Sequence, residues 1–220
     1  MEDTQNISSS CIMLAANLST PVSMKAIFDS GDLKDTGIEF DSHITLLYAR
    51  KFIDKREILP LLRTFDFGDI PDLGGKNIQD FLEYQKNPLD FSCPVYDIFE
   101  LSSFENDSGY VILKLKNNNL WYDVCSQINK VFGKYYNVTS DFSTYTPHLT
   151  LAELEPGLTE KYLDNETLKL VLRDSIVHFE DLVISYSRED SKEYDQYNIT
   201  TNRAVDRFFR ERELRSVEIE

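Results

Sequence analysis

Cysteine is scarce and scattered: Cys11, Cys93 and Cys125 are the only three in 220 residues. With no CxxC spacing and an odd count, they argue against a disulfide framework or a zinc site and read as buried, reduced thiols. With 8 Gly and 7 Pro, the chain is also too poor in breakers to be low-complexity or collagen-like. No apolar run approaches the 18 or so residues that a membrane-spanning helix needs. The opening MEDTQNISSS lacks the basic region of a signal peptide, so a cytoplasmic protein with no membrane partner is expected. Positive charge is short as well, with 23 Lys and Arg against 38 Asp and Glu for a net charge of −15. A protein that grips long RNA or DNA normally presents a basic stripe, so long nucleic acid is not the expected partner. A small nucleotide held by a few local donors stays compatible. Solubility alone would account for the acidity equally well.

What is present points to a folded chain. Hydrophobic residues make up 41% and aromatics 12%, enough for one domain over residues 1–220 with a substantial core and with fraying expected at 1–10 and 213–220. Cys11–Leu18 and Ile38–Ala49 read as strands, and 54–65 as a helix capped by Asp54 with Pro60 inside it. Gly68–Asn77 should be a loop and a candidate insertion over a cleft, with a short helical turn at Phe81–Lys86. Leu89–Leu101 and Gly109–Lys116 suggest a strand pair turning through Ser102–Ser108. Asn119 can cap a helix with the stripe Leu120, Trp121, Val124, Ile128 and Val131, ending near Gly133. Pro147 biases Thr146 toward extended geometry, so HLTLAEL begins a strand. A helix at Thr159–Leu172, a strand at Val177–Ser187, a turn at Arg188–Lys192 and a weaker strand at Tyr194–Thr200 follow. The tail Arg203–Arg215 looks like an amphipathic helix.

Within this frame one short pattern occurs twice. His43-Ile44-Thr45-Leu46 returns as His148-Leu149-Thr150-Leu151, so two of the three histidines open the same tetrapeptide, a coincidence expected by chance in about one sequence in a few thousand. On a strand the histidine and the threonine two positions on project to one face. There the imidazole can take or give a proton near neutrality and the hydroxyl can hold a phosphate oxygen. Doubled, the unit supplies a general base and a general acid. His178 has Glu180 rather than threonine two positions on and reads as structural.

This arrangement resembles the two-histidine phosphoesterases, a superfamily with two HxT or HxS motifs on opposing strands. The resemblance implies an α/β (α+β) bilobal fold, with two mostly antiparallel sheets facing a central groove and helices outside. The stretch ANLSTPVSMKAIFDSGDLKDTGIEFDSHITLLYA looks most like the phage branch that degrades the cyclic-nucleotide alarms of bacterial CBASS defence, and would place the protein in the host cytoplasm. The resemblance further implies that His43 and His148 flank a scissile phosphodiester while Thr45 and Thr150 bond its non-bridging oxygens, with no metal and no cofactor. Family members often place a base-stacking lid after the last strong strand, which makes Glu189, Tyr194 and Tyr197 substrate-binding candidates.

The expected partner is a small cyclic oligonucleotide. Alternatives are the same chemistry on 2′,5′-oligoadenylate or on RNA ends bearing a 2′,3′-cyclic phosphate, and a nucleotide-binding sponge without turnover. Tyr48 and Tyr145 read as packing residues with wet hydroxyls. Lys114 and Lys116 alternate with apolar positions and read as a solvated sheet face.

Overall fold

The computed structural model describes residues 7–39, 42–63, 92–105, 107–137, 145–188, 194–199 and 203–204. The chain is an α+β structure whose described strands form two antiparallel sheets, one of six strands and one of four. The first sheet runs β10 (Arg203–Ala204), β9 (Tyr194–Asn198), β8 (Ile176–Arg188), β1 (Ile7–Ser19), β3 (His43–Ala49), with β4 (Ser92–Pro94) on β8 beyond this path. The second runs β2 (Leu33–Ile38), β7 (His148–Leu154), β6 (Gly109–Leu115), β5 (Phe99–Glu105). Apolar residues recurring at alternate positions build both: Ile12, Ile44, Leu113 and Leu149 are all buried, and one core cluster draws residues from each sheet.

The two motif strands carry the same irregularity. On β3, Thr45 pairs with Met13 but Leu47 pairs with Ile12, so Leu46 is an extra, unpaired residue. On β7, Thr150 pairs with Ile112 but Ala152 pairs with Val111, so Leu151 is the extra one. A β-bulge therefore follows each HxT unit at the same place. Each lets two consecutive residues, Leu46-Leu47 and Leu151-Ala152, enter the core.

Helix α1 (Lys55–Arg63) keeps Pro60 inside it, and Asp54 Oδ1 accepts from Arg56 N at 2.9 Å. The long helix α3 (Leu120–Tyr135) is capped by Asn119, which accepts from Tyr122 N, and buries Trp121, Val124, Ile128 and Phe132. It runs through Gly133 rather than ending there, because Phe132 on the core face outweighs the glycine's poor propensity.

Several expected boundaries move. The first strand begins at Ile7, and Ser10 is fully buried within it, so the chain is paired where fraying was expected. The polar stretch around Gly37 contains a strand of its own, β2, anchored on β7 by its apolar ends Leu33 and Ile38; the second expected strand is thereby split, and the motif strand starts at His43. The expected strand up to Leu101 is divided by a helical turn, α2 (Val95–Ile98). That turn carries the chain from β4 in one sheet to β5 in the other, and β5 continues to Glu105 through residues expected to turn. The helix expected over 159–172 is two, α4 (Thr159–Leu163) and α5 (Glu166–Arg173), because Asn165 caps a new start by accepting from Leu168 N. Arg203 and Ala204 pair with Asn198 and Tyr197 as a strand rather than opening a helix. The rest of that tail, the loop and helical turn expected within 68–86, and the turn after Arg188 lie outside the described residues. No helix among the described residues is long and apolar enough to cross a membrane.

Candidate functional site

His43 and Thr45 are half-buried while Ile44 and Leu46 are fully buried, and the same pattern holds for His148 and Thr150 against Leu149 and Leu151. Strand alternation thus puts each histidine on one face with its threonine. Although β3 and β7 belong to different sheets, Cα atoms of the two come within 8 Å of each other. The two imidazoles are electrostatically coupled: a charge on His43 opposes protonation of His148.

The surroundings of the two motifs differ. His148 Nδ1 lies 2.7 Å from the Thr146 carbonyl oxygen, an acceptor only, so the neutral ring carries its proton on Nδ1 and a lone pair on Nε2. The Phe104 ring meets the imidazole edge-on, with centroids 4.9 Å apart. Burial holds the His148 pKa below the ordinary histidine value, the Thr146 bond opposes that shift, and His43 adds to it. Thr45 has the half-buried thiol of Cys11 beside it, donating from Sγ to Oγ1 across 3.8 Å. Burial pushes the Cys11 thiol up to about 11, so it stays protonated and a donor. With its oxygen already accepting, the threonine hydroxyl keeps its proton for another acceptor.

Two contacts fix β3 from outside its sheet. The Tyr145 hydroxyl donates to the Thr45 carbonyl at 2.9 Å, tying the approach to the second motif onto the first. Burial raises the Tyr145 pKa far above the phenol range, so this hydroxyl stays a donor. Asn129 on α3 donates from Nδ2 to the carbonyl of the bulged Leu46 at 2.7 Å. The matching carbonyl of Leu151 is met instead by the backbone N–H of Glu39 at 3.1 Å.

Register assigns neighbours to the motif face. In the first sheet the row through Thr45 continues as Met13, Val183 and Asn198, and the next as Tyr48, Cys11, Ser185 and Gln196. Tyr48 is 48% exposed on this face, so it is an open aromatic surface rather than the packing residue expected. In the second sheet His148 pairs with Lys114, which pairs with Glu100, and Thr150 pairs with Ile112, which pairs with Ser102. Met13, Val183 and Ile112 are buried yet stand outside the main core cluster, giving the motif face an apolar floor.

Of the candidates for a base-binding lid, Tyr197 is not brought to this face. Tyr197 pairs with Ile184, whose row runs through Ile12 to Leu47 on the opposite side of the sheet. There it packs against Tyr186, with the Lys55 ammonium 3.3 Å from its ring centroid. Period-two alternation decides this, and a one-residue difference in register would have reversed it. Tyr194 pairs with Ser187, two positions from Ser185, so its register position is on the motif side of the sheet with Gln196; Glu189 lies outside the described residues. Lys116 is engaged with the Tyr96 carbonyl. Among the described residues no group of three or more His, Cys, Asp or Glu could hold a metal ion.

Comparison with protein-family models, with curated proteins and with solved structures finds no match for this chain.

Proposed function

We propose that the chain is a metal-independent phosphodiesterase of the two-histidine class, two lobes flanking a central groove, that cuts small 3′,5′-linked cyclic di- or trinucleotides and so silences a host antiviral alarm. The observation that carries the reading is the doubled unit itself: two HxT strands, each followed by a bulge, with electrostatically coupled imidazoles. A protein that only bound nucleotides would have no use for two proton-transfer groups at one phosphate. The acidic chain, at net −15, favours a small ligand over a long polyanion.

The environments divide the labour. His148, held neutral by burial with Nδ1 bonded to Thr146, offers Nε2 as the general base. It takes the proton of a ribose 2′-hydroxyl, whose oxygen bonds to phosphorus as the 5′-oxygen departs with a proton from His43. The product end is then a 2′,3′-cyclic phosphate, which water can open by the same groups in exchanged roles. Each proton transfer contributes about 10²- to 10⁴-fold. Thr45 and Thr150 donate to the oxygens on which negative charge grows, and Tyr48 offers a ring on which a base can stack at about 1 to 3 kcal/mol.

Incubating the protein in EDTA with cyclic dinucleotides, cyclic trinucleotides, 2′,5′-oligoadenylate and RNA bearing a 2′,3′-cyclic phosphate, and resolving products by mass spectrometry, tests the reading. Cyclic oligonucleotides should be opened fastest, with activity intact in the chelator. Loss of activity restored by a divalent metal would overturn the mechanism. Preference for either of the other substrates would keep the mechanism and change the biology.

A further inference from the structure

Of the described residues paired in register with β3 and β7, Lys114 alone carries a formal charge; the others are Ser10 to Ala15, Leu33, Ile38 and Gly109 to Leu113. It stands directly opposite His148, so its side chain leaves the sheet on the same face as that imidazole. Its ammonium lies 2.9 Å from Glu100 Oε1, and the two side chains are 40% and 50% exposed. An ion pair so open to water holds its partners weakly. A phosphate diester arriving beside the histidines can therefore draw the ammonium away from the carboxylate. Lysine suits this use as a compact point charge on a flexible stem, able to meet a phosphate without a fixed bidentate geometry.

We propose that Lys114 binds a second phosphate of the substrate, adjacent to the one being cut, and so makes this a site for phosphodiesters of two or more nucleotides rather than for single nucleoside cyclic phosphates. The assignment rests on the phosphodiesterase reading and narrows its substrate class. Glu100 keeps the lysine extended over the sheet when no ligand is bound, and its negative charge repels a phosphate that arrives without displacing it. A purely structural cross-strand pair would make no distinction between one phosphate and two.

The test compares full-length wild type, Lys114→Met and Lys114→Arg on a 3′,5′-cyclic dinucleotide and on a nucleoside 2′,3′-cyclic monophosphate. Lys114→Met keeps most of the aliphatic stem and removes the charge. It should lower kcat/KM for the dinucleotide about tenfold relative to the mononucleotide, through KM rather than kcat, and the difference should shrink at high salt. Lys114→Arg should restore it. Glu100→Gln, which frees the ammonium, should lower the dinucleotide KM. A dinucleotide KM in Lys114→Met equal to that of wild type would overturn the role of Lys114 and leave the phosphodiesterase reading standing, whether or not the mononucleotide is cut. Wild type that cuts neither substrate would instead remove the reading on which the assignment rests.

Discussion

The two HxT strands share letters, alternation and bulge, yet they sit differently. Among the described strands the first, β3, is the last on its side of the six-stranded sheet, paired by β1 alone. It is steadied from outside by the Tyr145 hydroxyl on the Thr45 carbonyl and the Asn129 amide on the Leu46 carbonyl. The second, β7, lies between β2 and β6, and its bulge is met by backbone. His148 is bonded at Nδ1 and flanked by Phe104. One sequence pattern, set in two different strand positions, places two imidazoles in unequal surroundings.

The sharpest way to break that comparison is to remove each histidine in turn. On the proposed mechanism, in which both histidines act mainly in the transition state, His43→Ala and His148→Ala should each lower kcat by about 10²- to 10⁴-fold while thermal melting stays near wild type. If only one substitution mattered, the doubled motif would not form one site. Thr45→Val and Thr150→Val come next, each costing about 10²-fold in kcat if its hydroxyl holds the developing charge. A KM effect alone would reduce the threonines to ground-state binders.

The two bulges can be separated by stability. Asn129→Ala leaves the buried Leu46 carbonyl without its partner and should cost about 1 to 3 kcal/mol, read from denaturant unfolding. No side-chain change can do the same at β7, because Glu39 serves Leu151 through its backbone. Unchanged stability in Asn129→Ala would mean that water satisfies the first bulge.

The smallest effect sharpens the acid–base assignment. With the base held below the usual histidine value by burial, the acidic limb of kcat/KM should lie below about pH 6.5. Phe104→Ala, which admits water to the ring, should move that limb upward. The same shift bears on folding. Between the lowered folded value and the ordinary unfolded one, the unfolded chain binds more protons at this site, so stability falls as pH drops through that window. His148→Asn should flatten that part of the stability profile relative to wild type.

The strands bearing the motifs were legible because HITLLYA and HLTLAEL combine strand formers with period-two burial, and the Asn119 cap was legible from its own chemistry. The bulges were not, since an extra residue in a strand leaves its letters unchanged and shows only in its partner's register. Nor was β2: LKDTGI has two apolar anchors around a polar middle, and only pairing with β7 makes it a strand. The misplacement of Tyr197 has the same cause, for nothing local says whether it falls in the row of Leu47 or in that of Thr45.

By itself, the sequence determined which side chains can move protons and hold a phosphate, because residue chemistry and strand alternation are local properties. Only the tertiary structure decided that β3 and β7 approach each other, that Lys114 rather than an apolar residue stands opposite His148, and that the His148 ring is bonded to Thr146 and flanked by Phe104. Those follow from which strands pair and in what register, and pairing is settled by burial summed over the whole chain rather than by any one segment.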